Sequence, residues 1–192
     1  PFSSTHPRTP VSPVNRAIPL IGFDSVKSMA ISSLLVDTLL QKNDRPHLLR
    51  CLARAIHAAV QARCLLPKRN EQALEEVFIG ALLMNIGELA FWSCETEQAS
   101  ELEALLHQDE PPVEAQKKVL HTTFTEITRG LVDAWSLGPF IREVVAPGKA
   151  NSVASSLVRH SVEMARVSEE GWSGREMDQA VEPIAKETTQ NP

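Results

Sequence analysis

Apolar residues recur every three or four positions through most of this chain, and runs that alternate apolar and polar residues as strands do are scarce. That period predicts an all-α fold. Residues 1–12 (PFSSTHPRTPVS) are rich in Pro, Ser and Thr and read as an extended leading loop. Ser12-Pro13 then supplies an N-cap and a first helical residue, and Gly22 closes a short helix carrying Val14, Ala17, Ile18 and Ile21. Asp24 caps a second helix reaching about Lys42, with Val26, Met29, Ala30 and Leu34 on one face. Pro46 opens a third, in which Leu49, Leu52, Ala53, Ile56, Val60 and Cys64 recur with helical period until Pro67 ends it. A fourth helix carries Leu74, Val77, Phe78, Ala81, Leu82 and Ile86 along one stripe, and Gly80 permits close contact with a neighbour.

The second half follows the same grammar. Residues 95–108 predict an acidic, solvated helix, and Pro111-Pro112 interrupt the chain before one long helix from about Val113 to Trp135. Gly138-Pro139 turn the chain into a short helix near Phe140–Val145, and Pro147-Gly148 mark a loop. A long helix over Val153–Val167 and a last one around Arg175–Glu187 complete the series, without an internal repeat.

Composition narrows the class. With 192 residues, 43% hydrophobic and 22% charged, the chain is long enough to bury a core and ordinary for a globular protein. The absence of Tyr and the 8 glycines fit helices better than sheets. A net charge of -5 with scattered basic residues argues against nucleic acid as the main partner. No apolar run is long enough to cross a bilayer. Cys51 and Cys64 fall on one expected helix, too far apart to bridge, and with Cys94 they suit a reducing, cytoplasmic setting.

The most informative segment is Glu76-Val-Phe-Ile-Gly-Ala-Leu-Leu-Met84-Asn85-Ile-Gly87-Glu-Leu89. It resembles the metal-binding helix of HD-type phosphohydrolases, in which an adjacent His and Asp precede Ile-Gly; here Met84 and Asn85 stand in their places. Further segments are similar to the HDOD family, the HD-related output domain of bacterial signalling proteins. These are the stretch from Val14 to Lys27, the helix Leu48–Ala62, the block Leu131-Val-Asp-Ala-Trp135-Ser-Leu137 followed by Ile141, and Gly171-Trp172. The likeness implies a two-lobed all-α bundle of the HD/PDEase type that begins partway into the domain. Residues 1–45 would end an N-terminal lobe, 46–170 would form a pseudo-HD lobe and 171–192 a C-terminal helix and tail.

Carried over position by position, the family's metal ligands fall on residues of the wrong chemistry. The first histidine falls at about Arg50, the His-Asp pair at Met84 and Asn85, a later histidine at Phe124, and a His-His pair near Gly148-Lys149. A thioether is a soft ligand, a neutral amide offsets no dication charge, and a guanidinium repels a metal. The resemblance therefore implies no metal, no cofactor and no catalytic residues. Arg50 has two readings, reaching surface water along an apolar stem or, as the favoured one, filling the emptied pocket and pairing with an acid such as Glu88; Met84 is expected to act as core filler, and Asn85 to cap or hydrogen-bond the helix end. Trp92 and Trp135 are expected to be buried anchors, and Trp172 part-exposed.

The six histidines (His6, His47, His57, His107, His121, His160) are candidates for ligands that have moved, but surface or core roles are the simpler reading. The acidic stretch Glu95–Glu103 reads as a solvated face, with partner docking as the sharper option. The expected function is a non-catalytic regulatory module in bacterial signalling, working with receiver or cyclic-dinucleotide domains and without membrane or nucleic acid. One alternative is a divergent phosphohydrolase using His121, Asp133 or His160. Another is a nucleotide sensor with Arg50 and Lys149 as phosphate contacts.

Overall fold

The computed structural model describes residues 46–66, 71–148 and 150–190, together with Val26, Ala30 and Ser33, which are helical. The two expected N-terminal helices otherwise lie outside the described residues. Among the described residues there are nine α-helices and no strand. They are α1 (Pro46–Leu65), α2 (Glu71–Leu83), α3 (Ile86–Ser93), α4 (Glu97–Leu106) and α5 (Pro112–Leu120). There follow α6 (Phe124–Ala134), α7 (Pro139–Val145), α8 (Val153–Val167), a 3-10 turn (Ser168–Glu170) and α9 (Arg175–Gln190).

Helix α1 is the spine, packed by α2 and α8, and it corrects the expected stripe. Its buried face is Leu48, Cys51, Leu52, Ala55, Ala58, Ala59 and Ala62, so small residues face the neighbouring helices. Of the expected stripe only Leu52 is buried; Leu49, Ile56 and Val60 stay 40%, 40% and 48% exposed, and Ala53 and Cys64 are exposed too. The physical reason is reach. Alanine lets α2 and α8 approach α1 closely and gain dispersion contacts along their backbones, and that gain outweighs burying three larger side chains on the other face.

Two expected helices are each two helices. The fourth breaks at Met84-Asn85, where the chain passes between two cores. Leu83 and Ile86 belong to a smaller core with Ile79, Val132, Leu137 and Ile141, whereas Leu82 and Leu89 belong to the main core. The expected helix Val113–Trp135 breaks at His121, which adopts a left-handed conformation (φ 56°). Thr123 restarts the chain through a reciprocal cap. Its side chain accepts from the Glu126 backbone N–H, and the Glu126 carboxylate accepts from the Thr123 N–H.

Trp135 is another correction: it is 36% exposed rather than buried. It caps the C-terminus of α6, and Ser136 (φ 48°) then reverses the chain so that the Leu137 N–H bonds the Val132 carbonyl. Leu137 is buried in place of the indole. Trp92 is buried and Trp172 is 63% exposed, both as expected. The C-terminal segment is more than a tail, since Met177, Ala180 and Ile184 of α9 join the main core beside α8.

Helices α3 and α6 cross at backbone distance. A Cβ placed on Gly87 would lie 2.5 Å from the Phe124 carbonyl oxygen, 2.7 Å from Thr128 Oγ1 and 2.8 Å from the Thr128 nitrogen. Two of these are backbone atoms that cannot rotate aside. Gly80 behaves more gently: a Cβ there would meet the Phe140 ring at 3.0 Å, which confirms a close helix contact, here with α7. Gly87→Ala is expected to destabilise the protein by about 1–3 kcal/mol or more through overpacking, measured by urea denaturation. A loss below about 0.5 kcal/mol would show that the crossing has slack.

Candidate functional site

The Met84-Asn85 junction sits where the two cores meet, with α6 laid across it. The Gly87 N–H donates to Thr128 Oγ1 at 3.0 Å, and the same hydroxyl reaches the Met84 carbonyl at 3.5 Å. Thr128 is thus a clasp between the motif and α6, and it was not singled out from the sequence. Met84 is half-buried against the main core, as filler. Asn85 occupies the N-cap of α3, but its side chain makes no capping bond, and its Nδ2 is buried without a hydrogen-bond partner.

Phe124 opens α6 in the same neighbourhood. Its ring lies 5.3 Å from that of Phe91 and 6.3 Å from Trp92, and Phe91 and Trp92 meet edge to face at 4.9 Å. Where the likeness places an imidazole, this chain therefore builds an apolar aromatic cluster. His47 continues the row, stacked on Trp92 with centroids 4.5 Å apart and planes 17° apart.

The charge beside the junction comes from Arg54, which corrects the expectation for Arg50. Arg50 is exposed. One turn further along α1, the Arg54 guanidinium bonds the Glu88 carboxylate on α3 and reaches Glu169 at 3.0 Å. The difference is one of position along the axis: Arg50 and Arg54 lie one turn (about 6 Å) apart on neighbouring parts of one face, and only residue 54 is level with Glu88 on α3 and Glu169 in the 3-10 turn. Burial works against the charge on Arg54, but the attraction of Glu88, with Glu169 adding to it, raises the guanidinium above its ordinary range. Cys51 lies beside this pair, and burial, then the Glu88 charge, pushes its thiol well up, so it stays protonated.

Of the remaining expected positions, Gly148 is exposed in the α7–α8 loop at φ 90°, and Lys149 lies outside the described residues. The Gly148 carbonyl accepts from Arg159, whose guanidinium also bonds the Val144, Glu143 and Ala146 carbonyls at the end of α7. Arg159 therefore caps a helix. The structure brings Met84, Asn85 and Phe124 together and leaves Arg50 on the surface. Against a hard dication these three offer a thioether, an amide and a phenyl ring, with Arg54 held by Glu88 about one helical turn from Asn85; that set does not fit the metal of the HD relatives. Among the described residues, metal-type side chains converge at another place, where His47, Glu103 and His107 meet.

Because Arg54 and Glu88 are both mostly buried, a double-mutant cycle of Arg54→Met and Glu88→Gln is expected to give a coupling of about 1–3 kcal/mol in thermal or urea unfolding. Coupling under about 0.5 kcal/mol would class the pair with ordinary surface contacts. Thiol titration with an aromatic disulfide should find Cys64 and Cys94, both exposed, in the native protein, and Cys51 only after denaturant is added. Prompt native-state reaction of all three would contradict the burial described.

A sequence profile of the HDOD domain matches residues 3–151, well over half of the chain. Among solved structures, the fold is similar to that of an HDOD domain protein with unknown function from Geobacter sulfurreducens. The two share 18% identity with a TM-score of 0.61, over 88% of this chain and 59% of that one, so the likeness is one of fold. This chain accordingly spans less than two thirds of that protein's length. No curated protein matches the sequence. The family match, the all-α bundle and the Ile86-Gly87 crossing under Met84-Asn85 agree: the chain belongs to the HDOD family, whose domains are associated with signalling.

Proposed function

We propose that this chain is a non-catalytic regulatory module, acting through contacts with signalling proteins or fused regulatory domains. The observation that carries the reading is the residue set at the motif: Met84, Asn85 and Phe124 are held together by Thr128 and Gly87 and provide no anionic or imidazole donor. Hydrolysis by two clamped metals needs several such donors to orient water and hold a phosphate. The half-buried Arg54–Glu88 pair beside the junction is a structural link between α1 and α3.

A contact role is supported by the outer face of α1. Leu49, Ala53, Ile56 and Val60 follow the i, i+4, i+7, i+11 spacing of an apolar seam, all on the exposed side of the helix. A helix presenting a complementary apolar stripe is the partner chemistry suited to that face. A bundle with two cores joined at one junction can hold alternative packings that such a partner biases.

A second reading, a small-molecule sensor, is favoured by one feature. The buried Nδ2 of Asn85 is a donor without a partner, and a ligand oxygen would satisfy it. Arg50, exposed on α1, is not in place to assist. Thermal shifts with cyclic dinucleotides separate this reading from pure protein binding.

With manganese and a generic phosphodiester, the purified chain is expected to hydrolyse substrate no faster than buffer does. Saturable turnover that disappears in Asn85→Ala would overturn the non-catalytic assignment.

A further inference from the structure

Away from the motif, α1 and α4 bring three chemistry-bearing side chains to one point. His47 stands in the first turn of α1, Glu103 near the end of α4, and His107 at the C-cap of the same helix, four residues on. The Glu103 Oε1 lies 3.1 Å from His47 Nε2 and 4.0 Å from His107 Nε2. One ligand atom from each residue lies within 4.8 Å of the other two. Ligands on a tetrahedral zinc ion sit about 3.3 Å apart, given metal–ligand bonds of about 2.0–2.1 Å. The spacing here needs only side-chain rotation to reach that geometry.

Each residue is prepared for the task differently. His47 is fixed by stacking on Trp92 and by its contact with Glu103, so its ring has little orientational freedom left to lose. Glu103 and His107 share one helix face through the i, i+4 relation, a spacing that lets two side chains grip one ion. His107 is less enclosed: its side chain is 77% exposed, its Nε2 is beyond hydrogen-bonding distance of Glu103, and its ring meets that of His47 edge-on at 6.5 Å. A simple His47–Glu103 hydrogen bond would account for the first contact. The i, i+4 spacing then brings a second imidazole to within 4.0 Å of the same carboxylate oxygen.

The surroundings favour a cation. A cavity of about 430 Å3 opens beside the cluster, with His47 and Glu103 in its wall and the Glu95 and Glu97 carboxylates further round it. Their charge lowers the energy of a dication there. Two imidazoles and one carboxylate form a borderline donor set, which suits zinc far better than magnesium or calcium.

We propose that His47, Glu103 and His107 form a zinc-class metal site, three-coordinate from the protein and open on its fourth side to this cavity. On binding, His47 takes the tautomer that carries its proton on Nδ1, so that Nε2 and the Glu103 carboxylate both turn lone pairs to the metal. The ion joins the start of α1 to the end of α4, and its free position takes water or a small ligand from the cavity. This site is independent of the regulatory reading above, since it lies about two helical turns along α1 from Arg54.

Calorimetric titration of zinc chloride into the whole chain, dialysed first against chelator, tests the assignment. One saturable zinc per chain is expected. His107→Ala and Glu103→Gln should each weaken binding by at least the ~10–100-fold that losing even an outer-sphere partner costs. His107 is so exposed that its removal leaves the core untouched, and circular dichroism of the variant checks that the fold persists. His121→Ala, an exposed histidine outside the cluster, should keep the parent affinity. Absence of saturable binding, parental affinity in His107→Ala, or an equal loss in His121→Ala would each overturn the proposal.

Discussion

The arrangement of this protein turns on the approach of α3 to α6 at Gly87, where no side chain fits between the two backbones. Because glycine stands there, Thr128 can receive the Gly87 N–H and touch the Met84 carbonyl, which binds the α2–α3 junction to α6. The same approach sets Phe124 against Phe91 and Trp92. Packing at backbone distance leaves little room for gradual adjustment at this junction.

Around that contact, polar chemistry serves structure. Arg54 ties α1 to α3 through Glu88 and to the 3-10 turn through Glu169, and Arg159 gathers the carbonyls at the end of α7. Both are arginines whose several donors satisfy groups left over at helix ends or between helices. Cys51, sealed beside the Arg54–Glu88 pair, behaves as a small core residue. A scaffold with a thioether, an amide and a phenyl ring at its motif can thus hold its shape through packing and cation–carbonyl clasps.

Two exposed surfaces are unlike one another. One side of α1 offers aliphatic side chains at helical spacing, and the α1–α4 corner offers imidazole and carboxylate beside an acidic cavity. The first suits another helix and the second suits a cation. A protein with both has two independent ways of being coupled to its surroundings, because the apolar stripe and the His47 corner rest on different contacts of the same helix.

Much of this was legible in the order of residues. The helix Val153–Val167, the short helix after Gly138-Pro139, the end of α1 before Pro67, the buried Trp92 and the unlike chemistry of Met84 and Asn85 all follow from local pattern and local ligand properties. Even the break at His121 was written in Thr123-Phe-Thr-Glu126, a capping signature hidden inside an otherwise continuous helical period. Other features were settled only when the helices met. Which face of α1 is buried, whether Arg50 or Arg54 meets Glu88, why Trp135 faces outward, and the meeting of His47 with Glu103 and His107 depend on how one helix is turned and set along another. A periodic pattern states that a helix has faces, but a turn of about 100° per residue makes the choice among neighbouring faces a matter of close packing between distant segments.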